Sequence, residues 1–218
     1  MDTSRNIINR VAMGDVFRRK AATSPNLDAI VEYRNNERLA YTHLALNKAL
    51  NKVDHMLRAL NIKQGDRVAL ASPNSIEFAL VIYGCMKAGV VVVPVNYLQG
   101  PSDLVFTLNH CEAKAIFIED SLVEKFEECK HELNVLKHWI SIPVTGCNVP
   151  DSYLCFNQLL ESAADKENED LISGLRREVF EETGISLSEG DIHALNRQSG
   201  NKVYFCGEFA HDDVVLSE

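Results

Sequence analysis

The chain has 218 residues, 46% of them apolar, and a net charge of −9. No apolar run approaches the roughly 18 residues that span a bilayer, and 22 Lys and Arg against 31 Asp and Glu argue against the phosphate attraction on which nucleic-acid binding rests. MDTSRNIINR at the N-terminus lacks the pattern of an export signal, and six scattered cysteines without a CxxC pair suit reduced thiols, so a cytoplasmic protein is expected.

From residue 14 to about 160 the text alternates between helical and strand patterns. Leu46, Ala49, Leu50, Val53, Leu57 and Leu60 recur at helical spacing over 43–60. NIKQGD breaks that helix, and RVALAS (67–72) reads as a buried strand. A helix over 75–87 stops at Gly89. Then follow a strand VVVPVN (91–96), a helix over 101–110, a strand KAIFIE (114–119), a helix over 121–135 and a strand HWISI (138–142). Short apolar strands separated by helices predict an α/β fold, a doubly wound, mostly parallel sheet covered on both faces. Asn96 and Tyr97 end a strand at the carboxyl edge, where ligands often bind in such folds, although the pair also reads as a structural turn.

The pieces LAYTHL, KQGDRVAL, NSIEFALVIYGCMKAGVVVVPVN and AKAIFIED, in that order, resemble the N-terminal portion of adenylate-forming acyl-CoA synthetases, the AMP-dependent synthetase/ligase superfamily. The resemblance implies ancestry among enzymes that activate a carboxylate with ATP and pass the acyl group to the thiol of coenzyme A. It covers scaffold, not chemistry. A triphosphate needs backbone N–H donors and a lysine, which that family supplies from a loop ending in Pro-Lys. Here the six prolines are followed by Asn26, Asn74, Val95, Ser102, Val144 and Asp151, and no GxG occurs. A subdomain over 10–162, truncated before the phosphate loop, is therefore expected, with neither ATP nor CoA binding.

Near residue 162 the text changes and becomes acidic: 165–191 holds nine acids against three bases. NEDLISGLRREVFEETGISL resembles the Nudix box, with Glu169 eight positions before Arg177, then Glu178, Glu181, Glu182, Gly184 and Ile185; Ala163 stands where the opening glycine belongs. On a helix over 169–183, Leu171, Leu175 and Val179 form an apolar stripe, and Glu178 and Glu182 lie about 40° apart at its edge. The resemblance implies that Glu178, Glu181 and Glu182 are catalytic glutamates binding Mg²⁺ or Mn²⁺, that Arg177 orients them, and that Glu169 supports them from behind. The implied substrate is a nucleoside diphosphate derivative, cleaved by water. Crowded carboxylates on one helix face otherwise read as solvated surface.

A Nudix domain also needs strands before its box. Here a synthetase-like segment fills that place, and a single strand, KVYFCGEF (202–209), follows. The expected organisation is a composite: 10–162 synthetase-like and 163–218 a small, partial α+β Nudix-like segment, as a fusion or a misjoined gene would produce. Self-association through unpaired sheet edges is expected. A non-catalytic binding module is the remaining alternative.

Overall fold

The computed structural model describes residues 13–167, 193–199 and 202–206. Glu169, Arg177, Glu178, Glu181 and Glu182, with the helix expected over 169–183, lie outside the described residues. The chain divides into two compact units, the larger being Val11–Asn168.

That unit opens with helix α1 (Met13–Thr23) and the hairpin of β1 (Asp28–Arg34) and β2 (Glu37–Thr42). Its turn is Asn35-Asn36, both at positive φ (51° and 64°). Two such residues match the twist of the flanking strands, and asparagine tolerates the conformation at little cost. The hairpin was not among the elements read from periodicity, because its alternation is short and its exposure uneven. Arg34 ties it down. Its guanidinium donates to Glu32 at 2.7 Å and to Glu77 at 2.6 Å. Glu32 Oε2 in turn accepts from Ile76 N at 2.8 Å, placing a carboxylate at a helix start where the backbone dipole favours one.

Helix α2 (His43–Ala59) is capped by Thr42 Oγ1, which accepts from Ala45 N at 3.2 Å. After β3 (Arg67–Ala71), Ser75 caps α3 (Ile76–Ala88), and Gly89 closes it in the left-handed conformation at φ 70°. Then come β4 (Val91–Pro94), α4 (Pro101–His110), β5 (Ala115–Glu119), α5 (Val123–Cys129), β6 (His138–Ile142), β7 (Leu154–Cys155) and α6 (Phe156–Ser162). The five strands pair in parallel in the order β4-β3-β5-β6-β7. This is the doubly wound arrangement expected.

Period-two alternation sends neighbouring residues of each strand to opposite faces. Val68, Leu70, Ala115, Phe117, Ile140 and Ile142 join a core with α2 and α3, while Ala69, Ala71, Ile116 and Ile118 join one with α4 and α5. The central strand β5 is buried throughout.

Two expectations change in detail. The strand over 91–96 stops at Pro94, which has no N–H for a ladder. The helix over 121–135 shortens to α5 between 3₁₀ turns at Asp120–Leu122 and Lys130–Glu132. Lys130 is held by Glu127 Oε1 at 2.7 Å, and its ammonium sits 4.9 and 4.3 Å from the ring centres of Trp139 and Tyr153. Those contacts fix the turn where sequence periodicity would have run the helix on.

The second unit contains β8 (His193–Ser199) and β9 (Lys202–Cys206), an antiparallel pair. The sequence reading had only the second of these strands. No described helix is long and apolar enough to cross a membrane. The five cysteines among the described residues of the larger unit are free.

Candidate functional site at the carboxyl edge of the sheet

Strands β3 and β5 are neighbours, yet β4, which lies between them in sequence, pairs on the far side of β3. The chain reverses its winding there, and the crevice outside the carboxyl ends of the two strands is where ligands bind in open α/β sheets. Three polar residues occupy it: Ser72 follows β3, Glu119 ends β5, and Asp120 comes next. They are 6%, 5% and 3% exposed.

Glu119 is satisfied by hydroxyls. Its Oε2 lies 3.2 Å from Ser72 Oγ and its Oε1 accepts from Ser121 Oγ at 2.9 Å. Ser72 Oγ also lies 2.8 Å from Pro73 O. Asp120 is enclosed by backbone. Its Oδ2 accepts from Gly146 N at 2.7 Å and Cys147 N at 3.1 Å. Its Oδ1 accepts from Val144 N at 3.3 Å, Thr145 N at 3.0 Å and Thr145 Oγ1 at 2.8 Å. Gly146 has φ 80°, a left-handed value that lets consecutive N–H groups converge. Burial alone would raise the Asp120 pKa, but the hydrogen bonds from Thr145, Gly146 and Val144 outweigh it and hold the carboxyl below its ordinary value.

The loop after β4 closes the same edge. Asn96 Oδ1 accepts from Leu98 N at 3.1 Å and Asn96 O from Gln99 N at 3.1 Å, while Lys125 Nζ donates to Tyr97 O at 2.6 Å. Asn96 and Tyr97 thus form a structural turn.

The crevice is anionic and self-satisfied. Glu119 and Asp120 place two carboxylates side by side there, and the N–H groups of Val144, Thr145, Gly146 and Cys147 are already bound to Asp120. No group of three His, Cys, Asp or Glu that could hold a metal occurs among the described residues. Open cavities of about 380 and 350 Å³ flank Asn61 and Ile62 at the opposite, amino edge, where Lys114 and Lys137 precede β5 and β6. Lys114 is paired there with Asp66 at 2.7 Å.

The structure therefore brings together residues that the sequence reading passed over. Ser72 and Glu119 were within reach of it, since each ends an apolar strand run. The closure of 144–147 around Asp120 carries no local signal. The box glutamates lie outside the described residues, so their mutual placement is not part of this geometry.

Comparison with known proteins matches residues 17–195 to the AMP-binding enzyme family, a match that runs past residue 162 and over the box. The chain is 38% identical over 104 residues to the long-chain-fatty-acid–CoA ligase FadD13 of Mycobacterium tuberculosis, which covers 48% of this chain and 20% of that protein. It is 32% identical over 106 residues to the medium-chain fatty-acid–CoA ligase of Escherichia coli, covering 49% and 18%. Among solved structures, a Mycobacterium tuberculosis fatty acyl CoA synthetase aligns with a TM-score of 0.60 at 28% identity, covering 77% of this chain and 30% of that one. The chain spans about a fifth of the length of the curated relatives it matches. With the family's pattern extending over most of the sequence and its parallel sheet in place, the chain belongs to the AMP-binding enzyme family.

Proposed function

We propose that this chain is the N-terminal scaffold subdomain of an acyl-CoA ligase-like protein and does not itself adenylate a carboxylate or bind ATP and CoA. The observation that carries this reading is the filled crevice at the switch point. Glu119 would repel a triphosphate, and the N–H groups of Val144–Cys147 are committed to Asp120. The sequence adds that none of its six prolines precedes a lysine, so these 218 residues contain no phosphate loop of the family's kind. A fatty acid is the ancestral substrate class suggested by the relatives' names. A cytoplasmic setting belongs to the same reading, and so does self-association through the outer side of edge strand β4, where Val91 is 50% exposed. ATP–pyrophosphate exchange with Mg²⁺ and a series of fatty acids is expected to stay at the level of a protein-free blank. Exchange that depends on both the fatty acid and the protein overturns the reading.

A second reading rests on the spacing of Glu169, Arg177, Glu178, Glu181, Glu182 and Gly184. In it, 163–218 is a partial Nudix-like segment beside a 10–162 synthetase-like one. Three carboxylates are a hard-oxygen donor set that suits Mg²⁺ or Mn²⁺. Glu178, Glu181 and Glu182 would hold the ion, Arg177 would pair with them, and Glu169 would support them. Such an ion would neutralise the diphosphate of a nucleoside-diphosphate-linked substrate. Incubation with Mg²⁺ or Mn²⁺ and a panel of such compounds should then release product that the Glu182→Gln chain does not. Equal rates for the two chains remove this reading and leave a non-catalytic module.

A further inference from the structure

We propose that α1, α2 and α3 together form a recognition site for a short acidic peptide, whose occupant in this structure is the chain's own 165–167 segment. Along α2, Asn47, Asn51 and His55 recur every four residues and so share one stripe of the helix. Two of them are unusually covered for amides: Asn47 is 7% and Asn51 3% exposed. Buried amides are costly unless bonded, and most of their bonds go to one segment. Asn51 Nδ2 donates to Asp165 O at 2.9 Å, His55 Nε2 lies 3.0 Å from Lys166 O, and Asn47 Nδ2 donates to Glu167 Oε1 at 2.8 Å.

The charge that selects the occupant comes from α3. Lys87 has a side chain only 9% exposed, and its Nζ lies 2.8 Å from Glu167 Oε2 and 3.0 Å from Asn47 Oδ1. Lys48 adds a longer pairing with Asp165 at 3.5 Å. Glu167 is buried enough to raise its pKa, but the hydrogen bonds from Lys87 and Asn47 outweigh that and keep it charged below the ordinary range. Helix α1 completes the wall. A Cβ on Gly14 would come within 3.0 Å of Lys87 Cγ, so the bare backbone leaves room for the lysine stem.

The division of labour is that of a peptide site. Two backbone carbonyls are read without regard to side chain, and one carboxylate is read by an ammonium and an amide. Asn51 Oδ1, buried on the amide that holds Asp165, has no hydrogen-bond partner among the described residues. An occupant offering an N–H at that point would gain a bond that the resident segment does not make.

The test uses the full chain and two readouts. Trypsin cleavage after Lys166, scored by fragment mass, is expected to run about tenfold faster in Glu167→Gln than in the parent, because cleavage tracks the open population. Lys87→Gln should behave likewise, with circular dichroism confirming that each variant stays folded. In the Glu167→Gln chain, a free peptide of sequence 164–168 is expected to shift the side-chain amide signals of Asn47 and Asn51 saturably at millimolar concentration, the scale at which a tethered segment competes. The same peptide with Gln for Glu should leave them unmoved. Equal cleavage rates overturn the proposal. So does faster cleavage without saturable peptide binding, which would leave only an internal ion pair.

Discussion

Gly84→Ala is expected to destabilise the larger unit by about 3 kcal/mol, the upper end of what overpacking a core costs. Gly84 lies on α3 where it crosses α2. A Cβ built there would sit 2.4 Å from both Cβ and Cγ1 of Val53, a residue with no exposed surface. No rotation of Val53 relieves this, because its Cβ is fixed to the backbone, so the two helices must separate and open both to the core between them. Thermal unfolding followed by circular dichroism should show the midpoint falling by roughly 6–12 °C. Val53→Ala alone should also lower stability by leaving a cavity. Combining the two should not restore the parent value, since the Cβ–Cβ contact survives. A double variant as stable as the parent would show that the methyl groups, rather than the helix separation, set the limit.

Asp120→Ala is expected to cost a similar amount, about 3 kcal/mol, because hydrogen bonds to a charged group contribute about 1.5–3 kcal/mol each and water recovers part of the loss. The carboxylate holds the N–H groups of Val144, Thr145, Gly146 and Cys147 together. Asp120→Asn should be nearly as damaging. An amide offers one acceptor oxygen where the cage needs two, and it turns its own N–H₂ toward donors. The effect has a pH signature. The folded state keeps this carboxyl below its ordinary value, so its contribution is complete above about pH 5, begins to fall near the unfolded pKa of about 3.9, and is lost as pH falls through the folded pKa. The stability gap between parent and Asp120→Asn should therefore be flat from about pH 5 upward and narrow in acid, as measured by urea unfolding across pH. A gap that stays constant into strong acid would mean that the neutral side chain holds the loop equally well.

Much of the α/β unit was legible because its signals are local. The α2 stripe from Leu46 to Leu57 states a helix by spacing alone, and Gly89 ends α3 in the left-handed conformation, which glycine adopts without the strain a Cβ brings. The strand runs at 67–71, 115–119 and 138–142 are dominated by apolar residues, Val68–Ala71, Ala115–Ile118 and Trp139–Ile140 with Ile142, as strands buried on both faces require. The hairpin at Asn35-Asn36 carried a turn signal that periodicity did not weigh. The early end of α5 was decided by Lys130 meeting Trp139 and Tyr153, residues distant in sequence.

The candidate site divides the same way. By itself the sequence determined the family, the alternation of strands and helices, and the want of a Pro-Lys phosphate loop, since these lie in residue order and spacing. It also holds the glutamate spacing of 169–184, a pattern complete in one dimension. Only the tertiary structure decided that β4 pairs outside β3, which creates the crevice between β3 and β5. Only it turned the loop 144–147 onto Asp120 and laid Glu167 against Lys87, 80 residues away. The physical reason is that burial and hydrogen-bond satisfaction are properties of three-dimensional neighbours. A carboxylate's chemistry depends on which donors reach it, and no spacing along the chain records that.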